Sequence, residues 1–471
     1  MSKYFISVIS VFSLLSGCVR YVPRPIDPPA LEQSYRARSL ADPNLESFFN
    51  TTSTVTAPVW PPQSLDLEGL TILALYFSPD LDQARTRLAA ADAAIITAGV
   101  RTNPAVSGAA GYSDSEESPY AFKLGVDIPF ETAGKRKYRV QRAQQLSNAA
   151  RFSLGETAWG VRSRLRAALA DHLISNLDLE QRIAETLVRE EVVAIYQRRL
   201  EVGEVATPIV SAARTDLARV QIEVEQLRGR LAETRAAIAG VVGLPNPALD
   251  PVQFALFNLE KPPSEQALNI ASVQKLGLLN RLDIQRFLAE YEAAETDLQL
   301  QVARQYPDIS LGPGYSFGEG ANSYTIGPGL RLPLFDRNKG PIAEAEARRA
   351  AAGAQFLRAQ ATAIDEMERA LADYRSALRE LQQAETTLDL IRGREQSTQR
   401  QLDAGEADRL ALVLVRLESA VARRSWLGAL RRAHTALGAL QDAVQHPLAG
   451  GASIPRPPSE NPRERKETTN Q

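Results

Sequence analysis

Histidine and cysteine are the residues of this sequence that could most readily bind a metal ion or act as nucleophiles. The three histidines, His172, His434 and His446, are isolated and lack the spacing of metal ligands, and no Ser/His/Asp arrangement can be recognised around them. The glycine pairs around Pro313 and Pro328 lack the spacing and the helix start of a phosphate-binding loop. The sequence therefore predicts a protein that is not an enzyme and that holds no metal or cofactor.

Cys18 is the single cysteine of the chain, which excludes disulfides and thiolate metal sites. Lys3 and the apolar run from Tyr4 to Leu15, too short to span a bilayer, lead through Ser16-Gly17 to this cysteine. The pattern resembles a bacterial lipoprotein signal, which implies removal of residues 1–17 and acylation of Cys18; an incidental cysteine in an ordinary signal is the alternative. Val19 follows instead of an acidic residue, and by analogy with lipoprotein sorting this favours the outer membrane.

The charge balance and the absence of long apolar segments narrow the remaining possibilities. Lysine and arginine number 54 against 56 aspartates and glutamates, so the chain has no overall attraction to nucleic acid. No segment after the signal approaches the ~18 uninterrupted apolar residues of a membrane helix. Any membrane crossing is therefore expected to be made by strands.

The chain contains two similar halves. The residues Pro104, Gly111, Tyr112 and Ser113 return as Pro307, Gly314, Tyr315 and Ser316, each displaced by 203 positions. A period this long indicates a duplicated structural unit and not a solenoid. The sequence is accordingly divided into a signal (1–17), an extended lipid-anchored segment (18–63), a first repeat (64–244), a linker (245–263), a second repeat (264–446) and a disordered tail (447–471).

Each half contains two segments in which apolar and polar residues alternate with the period of a β-strand. They run from about 104 to 113, 120 to 130, 308 to 317 and 324 to 334, with polar turns at 114–119 and 318–323. Their length of about ten residues is close to that of a tilted transmembrane strand. The charges of these segments occupy the polar face and are expected to line the lumen of a barrel: Lys123, Asp127, Asp308 and Arg331. A soluble sheet with one wet face is the alternative.

Long helices are predicted between the strand pairs. From Tyr138 to Val202 there is no proline and strong helix formers dominate, so one helix could extend roughly 98 Å. Pro341 begins a counterpart that can continue to about Ala404. Its predicted coiled-coil seam repeats every seven residues: Leu357, Ile364, Leu371 and Leu378. Return helices follow both, and shorter helices are predicted near 67–101 and 264–305; a coiled-coil scaffold is the alternative.

In their order, duplication and spacing these elements resemble the TolC family of outer-membrane efflux channels, over nearly all of the mature chain. The motifs that carry the resemblance are Ser78-Pro79-Asp80-Leu81, Asn103-Pro104, Tyr306-Pro307, the strand exits Asp127 to Phe130 and Arg331 to Phe335, and the hairpin tips Val202-Gly203-Glu204 and Ala404-Gly405-Glu406. The segments Glu131 to Arg136 and Phe335 to Pro341 are most similar to the CzcC-like branch, which is associated with heavy-metal efflux.

The resemblance implies a mainly α-helical protein with a transmembrane β-barrel. Four strands from each protomer of a homotrimer would form a 12-stranded barrel in the outer membrane, continued by a long α-helical coiled-coil tunnel through the periplasm. Its partners would be a periplasmic adaptor and an inner-membrane pump of the resistance-nodulation-division type, and it would passively conduct heavy-metal cations or drugs. A lipid-anchored periplasmic scaffold or adaptor that does not span the membrane is the alternative.

The resemblance also implies roles for particular residues. The tips Gly203-Glu204-Val205 and Gly405-Glu406-Ala407 would meet the adaptor. The changes from strand to helix would be marked by Pro129, Gly134, Pro333 and Gly340. Family members often carry aspartates at a constriction six and nine positions beyond the second tip glycine, where this chain has Ala411 and Leu414. Glu406 and Asp408 are the acidic residues that could replace them.

Overall fold

The computed structural model describes residues 20–53, 60–112, 114, 119–256, 258–268 and 281–448. The predicted signal, the acylation site Cys18 and residues 449–471 of the predicted tail lie outside the described residues. The helices of the described residues are α1 (Pro28–Arg36), α2 (Pro43–Thr52), α3 (Leu67–Phe77), α4 (Pro79–Gly99), α5 (Lys135–Glu201), α6 (Thr207–Val242), α7 (Leu282–Ala303), α8 (Lys339–Asp403) and α9 (Arg409–Val444). The strands are β1 (Ser64–Leu65), β2 (Ala105–Tyr112), β3 (Tyr120–Phe130), β4 (Gln253–Phe254), β5 (Ile309–Gly318) and β6 (Ala321–Leu330).

The four long strands form one antiparallel sheet in the order β2-β3-β5-β6. Each repeat contributes one hairpin, and β2 and β6 are the two edges. The second turn is shorter than the predicted 318–323, because Glu319 and Gly320 both have positive φ (52° and 74°), as a two-residue hairpin turn requires. Strand β6 therefore begins at Ala321 and ends at Leu330, four residues before the predicted end.

The two long predicted helices are confirmed. Helix α5 has 67 residues and α8 has 65, so both extend on the order of 100 Å from the sheet. Helix α8 begins at Lys339, and Pro341 is therefore its third residue instead of its first. This position is still within the first turn, where the missing N–H of proline leaves no hydrogen bond unmade.

The helices are arranged side by side at two levels. Near the sheet, α5 packs against α4 and α7, and α7 packs against α8. Farther from the sheet, α5 packs against α6 and α9, and α9 packs against α8. Among the described residues, no helix combines the length and the apolar character needed to cross a membrane.

The helices predicted at 67–101 and 264–305 are interrupted. The first is divided at Ser78, whose extended backbone ends α3 immediately before Pro79 begins α4. In the second region a short 3-10 turn at Gln266–Leu268 is followed by residues 269–280, outside the described part, and then by α7. In the first region Pro79 therefore divides a pattern that composition alone makes continuous.

The buried seam of α8 differs from the predicted one. Leu357 and Ile364 are 64% and 40% exposed, and of the predicted set only Leu371 is fully buried. The buried positions repeat every seven residues in two rows, Ala363, Ala370 and Ala377, and Met367, Tyr374, Leu381 and Leu388. Five of these residues, Met367, Ala370, Tyr374, Ala377 and Leu381, lie in one buried cluster with side chains of α9, so the helix is rotated about its axis relative to the prediction.

The segment before residue 64 was predicted to be extended, and this prediction was wrong for its described part. It forms α1 and α2, each with an aspartate at the N-cap and a proline in the first turn. Leu45 and Phe49 of α2 are buried in an apolar core that includes the side chains of α3. Arg38 donates hydrogen bonds to the carbonyl oxygens of Phe77 and Gly243, so this segment is fixed to the first repeat.

Gly243 is the position where the backbone tolerates a side chain least. It ends α6 with φ of 89°, and a Cβ atom there would lie 2.5 Å from the carbonyl oxygen of Phe77. We expect Gly243→Ala to lower the free energy of unfolding by about 1–3 kcal/mol from the backbone conformation alone. Gly240→Ala is the matched control, since a Cβ there meets nothing within 4 Å and alanine favours a helix. Thermal unfolding in detergent should separate the two variants, and equal midpoints would contradict this account.

Candidate functional site

The pairing register of the sheet sorts its side chains onto two faces. On one face Leu124 of β3 stands opposite Tyr315 of β5, which stands opposite Tyr324 of β6. On the other face Lys123 stands opposite Ser316. Because neighbouring residues of a strand point to opposite faces, one face is apolar and aromatic and the other is polar with small side chains.

The apolar face is exposed in the single chain. Tyr324 is 80% and Ile326 is 72% exposed, and Val106 and Leu124 are also exposed on the same sheet. Soluble monomers rarely expose a contiguous apolar patch larger than a few hundred Å². This face therefore requires a lipid or protein surface to cover it.

The four charges predicted to line a lumen do not all lie in strands. Lys123 and Asp127 are both in β3 and share the polar face. Asp308 lies one residue before β5 and Arg331 one residue after β6, so these two belong to the base of the sheet. The assignment of the four side chains to a lumen stays a prediction.

Asp308 connects the two repeats where the sheet meets the helices. Its carboxylate accepts hydrogen bonds from Nζ of Lys135 at 2.6 Å and from the backbone amide of Thr132 at 2.9 Å. Lys135 is buried and also donates to the carbonyl oxygen of Tyr306 at 2.6 Å. The first residue of α5 is thereby held against the start of β5, which orients the long helix relative to the sheet.

The change from strand to helix uses different residues in the two repeats. Gly134 has φ of 74° directly before α5, as its predicted role requires. In the second repeat the left-handed residue is Asn338, with φ of 58°, and Gly340 is already helical. Asparagine tolerates this backbone conformation, so the turn predicted at Gly340 occurs two residues earlier. Pro129 is inside β3, whereas Pro333 lies beyond the end of β6.

The two hairpin tips share two backbone hydrogen bonds. At the first tip the amide of Gly203 donates to the carbonyl of Leu200, and the amide of Glu204 donates to the carbonyl of Arg199. At the second tip Gly405 and Glu406 donate to the equivalent carbonyls at 402 and 401. This is the Schellman pattern, and it needs a left-handed residue, which the tip glycines provide with φ of 80° and 77°. Both glycines face open space, and the third tip residues, Val205 and Ala407, are half-buried.

Ion pairs join the two hairpins near their tips. Arg199 of α5 donates to the carboxylate of Asp408 at 2.7 Å, and Arg409 of α9 donates to Glu191 at 2.5 Å. Asp408 also caps α9 by accepting from the amide of Ala411 at 2.7 Å. This hydrogen bond, and secondly the Arg199 pair, lower the pKa of Asp408. Asp408, one of the two acidic residues considered for a constriction, is thus bound to Arg199 and to the start of α9 in its own chain.

The duplicated strands and hairpins agree with a comparison of the sequence with protein families. The model of the outer membrane efflux protein family matches residues 71–244 and 274–445. The chain belongs to the outer membrane efflux protein family. This outer membrane efflux protein is therefore a TolC-type channel of the outer membrane that extends into the periplasm, and it is not an enzyme.

Individual relatives support the family assignment of this outer membrane efflux protein. It is 26% identical to the cobalt-zinc-cadmium resistance protein CzcC of Cupriavidus metallidurans over 315 residues, which cover 65% of this chain and 72% of that protein. It is 24% identical to the pyoverdine export outer membrane protein OpmQ of Pseudomonas aeruginosa, over 91% of this chain and 97% of that protein. The crystal structure of VceC from Vibrio cholerae matches with a TM-score of 0.65 and 23% identity, over 80% of this chain and 95% of that chain.

His172 and His434 of this outer membrane efflux protein each contact a neighbouring side chain or backbone group. His172 lies within hydrogen-bond distance of the hydroxyl of Thr234 and packs edge-on against Phe254. His434 contacts the carbonyl oxygen of Leu259 at 2.6 Å. Burial lowers the pKa of both imidazoles. In the part of the chain that the structure describes, no group of three or more His, Cys, Asp or Glu side chains is placed to hold a metal ion.

Sequence reasoning missed the pairs that join the two repeats. Arg199 and Asp408 are 209 residues apart, and Lys135 and Asp308 are 173 apart. The only signal available was the position of each residue beside a predicted turn or strand end. Charged residues are common at such positions, so nothing in the sequence indicated which pairs would form.

The structure predicts that Asp408 orders the start of α9. Loss of an N-cap costs about 0.5–2 kcal/mol, so amide hydrogens of the first turn of α9 should exchange several-fold faster in Asp408→Ala. Asp403→Ala is the control, because Asp403 is exposed near the same tip and only accepts from Gln399. Hydrogen exchange read by mass spectrometry measures both variants.

The same residue gives a pH dependence. Since the pKa of Asp408 is lowered from its ordinary value of 3.8, its contribution is complete above that value and is lost as the pH falls through the lowered pKa. Protection of the first turn of α9 should therefore be unchanged between pH 7 and pH 5. A loss of protection in that interval would contradict the role given to Asp408.

Proposed function

We propose that this outer membrane efflux protein is the exit duct of a tripartite efflux system, assembled as a homotrimer. The observation that carries the proposal is the arrangement of an amphipathic sheet and two matching hairpin tips at opposite ends of helices about 100 Å long. A duct of this shape would connect the outer membrane with partners on the far side of the periplasm.

The free edges of the sheet support the trimer. Within the described part of the chain, strands β2 and β6 each pair with one neighbouring strand, and the outer edge of each carries backbone N–H and C=O groups without a ladder partner. In hydrocarbon each such group costs several kcal/mol, so a spanning sheet must close on itself. Three copies of the four-stranded sheet would give a 12-stranded barrel in which β6 of one copy pairs with β2 of the next.

The faces of the sheet support its orientation in this barrel. The face with Leu124, Tyr315 and Tyr324 would contact lipid, and the face with Lys123 and Ser316 would line the lumen. Exposed apolar positions on α8, such as Leu357 and Ile364, would be covered by a neighbouring copy in the helical tunnel. The lipid anchor at Cys18 would be a second attachment to the same membrane.

The tips support the choice of partners. Gly203-Glu204-Val205 and Gly405-Glu406-Ala407 share the two hydrogen bonds of the glycine and the glutamate and have the same pattern of exposure, so a trimer would present six similar sites. We propose that a periplasmic adaptor binds there and links the duct to an inner-membrane pump of the resistance-nodulation-division type.

Heavy-metal cations are the proposed substrate class. The support is the similarity to a protein named for cobalt, zinc and cadmium resistance. The similarity to a pyoverdine export protein makes an organic compound the second candidate. Growth of a deletion strain on cobalt, zinc and cadmium salts, compared with growth on organic toxic compounds, distinguishes the two. The alternative function, a lipid-anchored scaffold or adaptor that does not span the membrane, is separated from the duct by the labelling of the strands.

Thiol labelling tests the barrel. Cysteine at Lys123 should react with a membrane-impermeant, water-soluble reagent, whereas cysteine at Leu124 should react slowly, because it would face lipid. Leu124→Arg should reduce stability by roughly 2–4 kcal/mol and Lys123→Arg should be tolerated. Equal labelling at the two positions would rule out the proposed membrane-spanning sheet.

Substitution of the tip glycines tests the docking site. Gly203→Asp and Gly405→Asp should abolish export and crosslinking of the adaptor in cells, while trimers still assemble in the membrane. Gly393→Asp on the exposed surface of α8 adds the same charge away from the tips and should export normally. If both tip variants export like the control, the adaptor binds elsewhere on the protein.

A further inference from the structure

The two strand exits of the sheet differ in length and in surface. Four residues, 131–134, connect β3 to α5, and eight residues, 331–338, connect β6 to α8. The shorter exit holds Glu131 and Thr132, both half-buried, and the Thr132 hydroxyl donates to the carbonyl oxygen of Pro307. The longer exit exposes three large apolar side chains: Leu332 at 58%, Leu334 at 69% and Phe335 at 102%. We call residues 331–339 the β6 exit segment.

The backbone of the β6 exit segment holds these side chains away from the protein. The amide of Leu334 donates to the carbonyl of Leu332 at 3.0 Å, which bends the chain around Pro333. At the other end, the side-chain amide of Asn338 donates to the carbonyl oxygen of Gln301 at 2.7 Å, at the end of α7. The segment is therefore a bent projection fixed at both ends, and it does not continue the edge of β6 as a flat strand.

Basic side chains accompany the apolar ones. Arg331, Arg337 and Lys339 are all exposed, and the one carboxylate of the segment, Asp336, accepts a hydrogen bond from the backbone amide of Asn338 at 2.8 Å. Exposed apolar side chains next to several cations are typical of a surface that inserts at a lipid boundary and contacts anionic headgroups.

We propose that the β6 exit segment binds anionic phospholipid at the periplasmic boundary of the outer membrane. Leu332, Leu334 and Phe335 enter the boundary between headgroups and acyl chains, and Arg337 and Lys339 contact phosphate groups. This inference rests on the proposed barrel, because the segment continues directly from the apolar face of β6. One exit of each protomer carries the site, so a trimer has three such anchors between three exits that lack them.

A neighbouring copy of the chain is the other surface that could cover these residues. Pairing with the edge strand of the next copy would need an extended segment, and the bend at Pro333 interrupts it. The cluster of cations also matches anionic headgroups, whereas a β-sheet seam would bring those charges against backbone. Both observations favour lipid as the occupant.

Spin labels measure which surface covers the segment. In a Cys18→Ser background, labels are attached to Phe335→Cys, to Leu124→Cys on the apolar face of the sheet and to Val202→Cys at the exposed hairpin tip. The trimers are placed in vesicles of phosphatidylcholine and phosphatidylglycerol, and collisions with oxygen and with a water-soluble nickel complex are recorded. The label at 335 should collide with oxygen far more than with nickel, as should the label at 124, while the label at 202 should favour nickel.

The outcomes separate this inference from the proposed function. A label at 335 that behaves like the label at 202 faces water, and one that is shielded from both reagents is covered by protein; either result overturns the lipid site. If the label at 124 also favours nickel, the barrel itself is wrong and the inference fails with it. If 124 favours oxygen and 335 does not, the barrel stands and only the inference fails.

The charges are tested separately by counting bound lipids. Native mass spectrometry of trimers extracted from the same vesicles measures the phosphatidylglycerol retained. Each removed cation should weaken retention about fivefold, so Arg337→Gln with Lys339→Gln should lose most of the bound lipid. The matched control is Arg358→Gln with Arg379→Gln, exposed farther along α8. Equal retention by the two double variants would overturn the assignment of anionic headgroups.

Discussion

Backbone hydrogen bonding at the two free edges of the sheet is the constraint on which the rest of this structure depends. A four-stranded sheet with one apolar face cannot stay open in a membrane, because β2 and β6 would each keep a row of unpaired N–H and C=O groups in hydrocarbon. In the proposed barrel, closure by copies of the chain would determine how the helices beyond the sheet are arranged, since each of the four strands is joined at one end to a helix. The ion pair between Lys135 and Asp308 links the sheet to the helices, because it holds the first long helix against the start of β5.

The two repeats share the order of a helix, two strands and two further helices but differ in other features. Both supply a hairpin of strands, a long helix and a glycine tip with the same hydrogen bonds. The first repeat packs against the N-terminal helices α1 and α2, and its Gly243 turn lies against Phe77. The second repeat carries the longer strand exit with its exposed apolar and basic side chains. Duplication therefore explains the common framework, and the repeats differ in the N-terminal helices, the Gly243 turn and the second strand exit.

Much of the fold could be predicted from local pattern. Alternation with a period of two identified the four long strands, the lack of proline identified α5, and a proline at a helix start identified α8, because these signals depend on residues close together in the chain. The aspartate and proline pairs that begin α1 and α2 are local signals of the same kind. The high proline content of the segment nevertheless favours an extended chain, and this prediction was wrong. The predicted buried face of α8 was wrong for another reason. A helix advances about 100° per residue, so a one-residue change in the chosen stripe selects a different face.

The duplication, the amphipathic strands and the glycine tips can all be inferred from the sequence alone, because each depends on the conformations and polarity of neighbouring residues. Which distant side chains meet is known only from the folded structure. Arg199 with Asp408, and Lys135 with Asp308, depend on how two repeats lie against each other, and many arginines and carboxylates of this chain could have formed other pairs. The replacement of Gly340 by Asn338 at the second strand exit was decided in the same way. Asn338 reaches α7 with its side chain, and a glycine could not make that hydrogen bond.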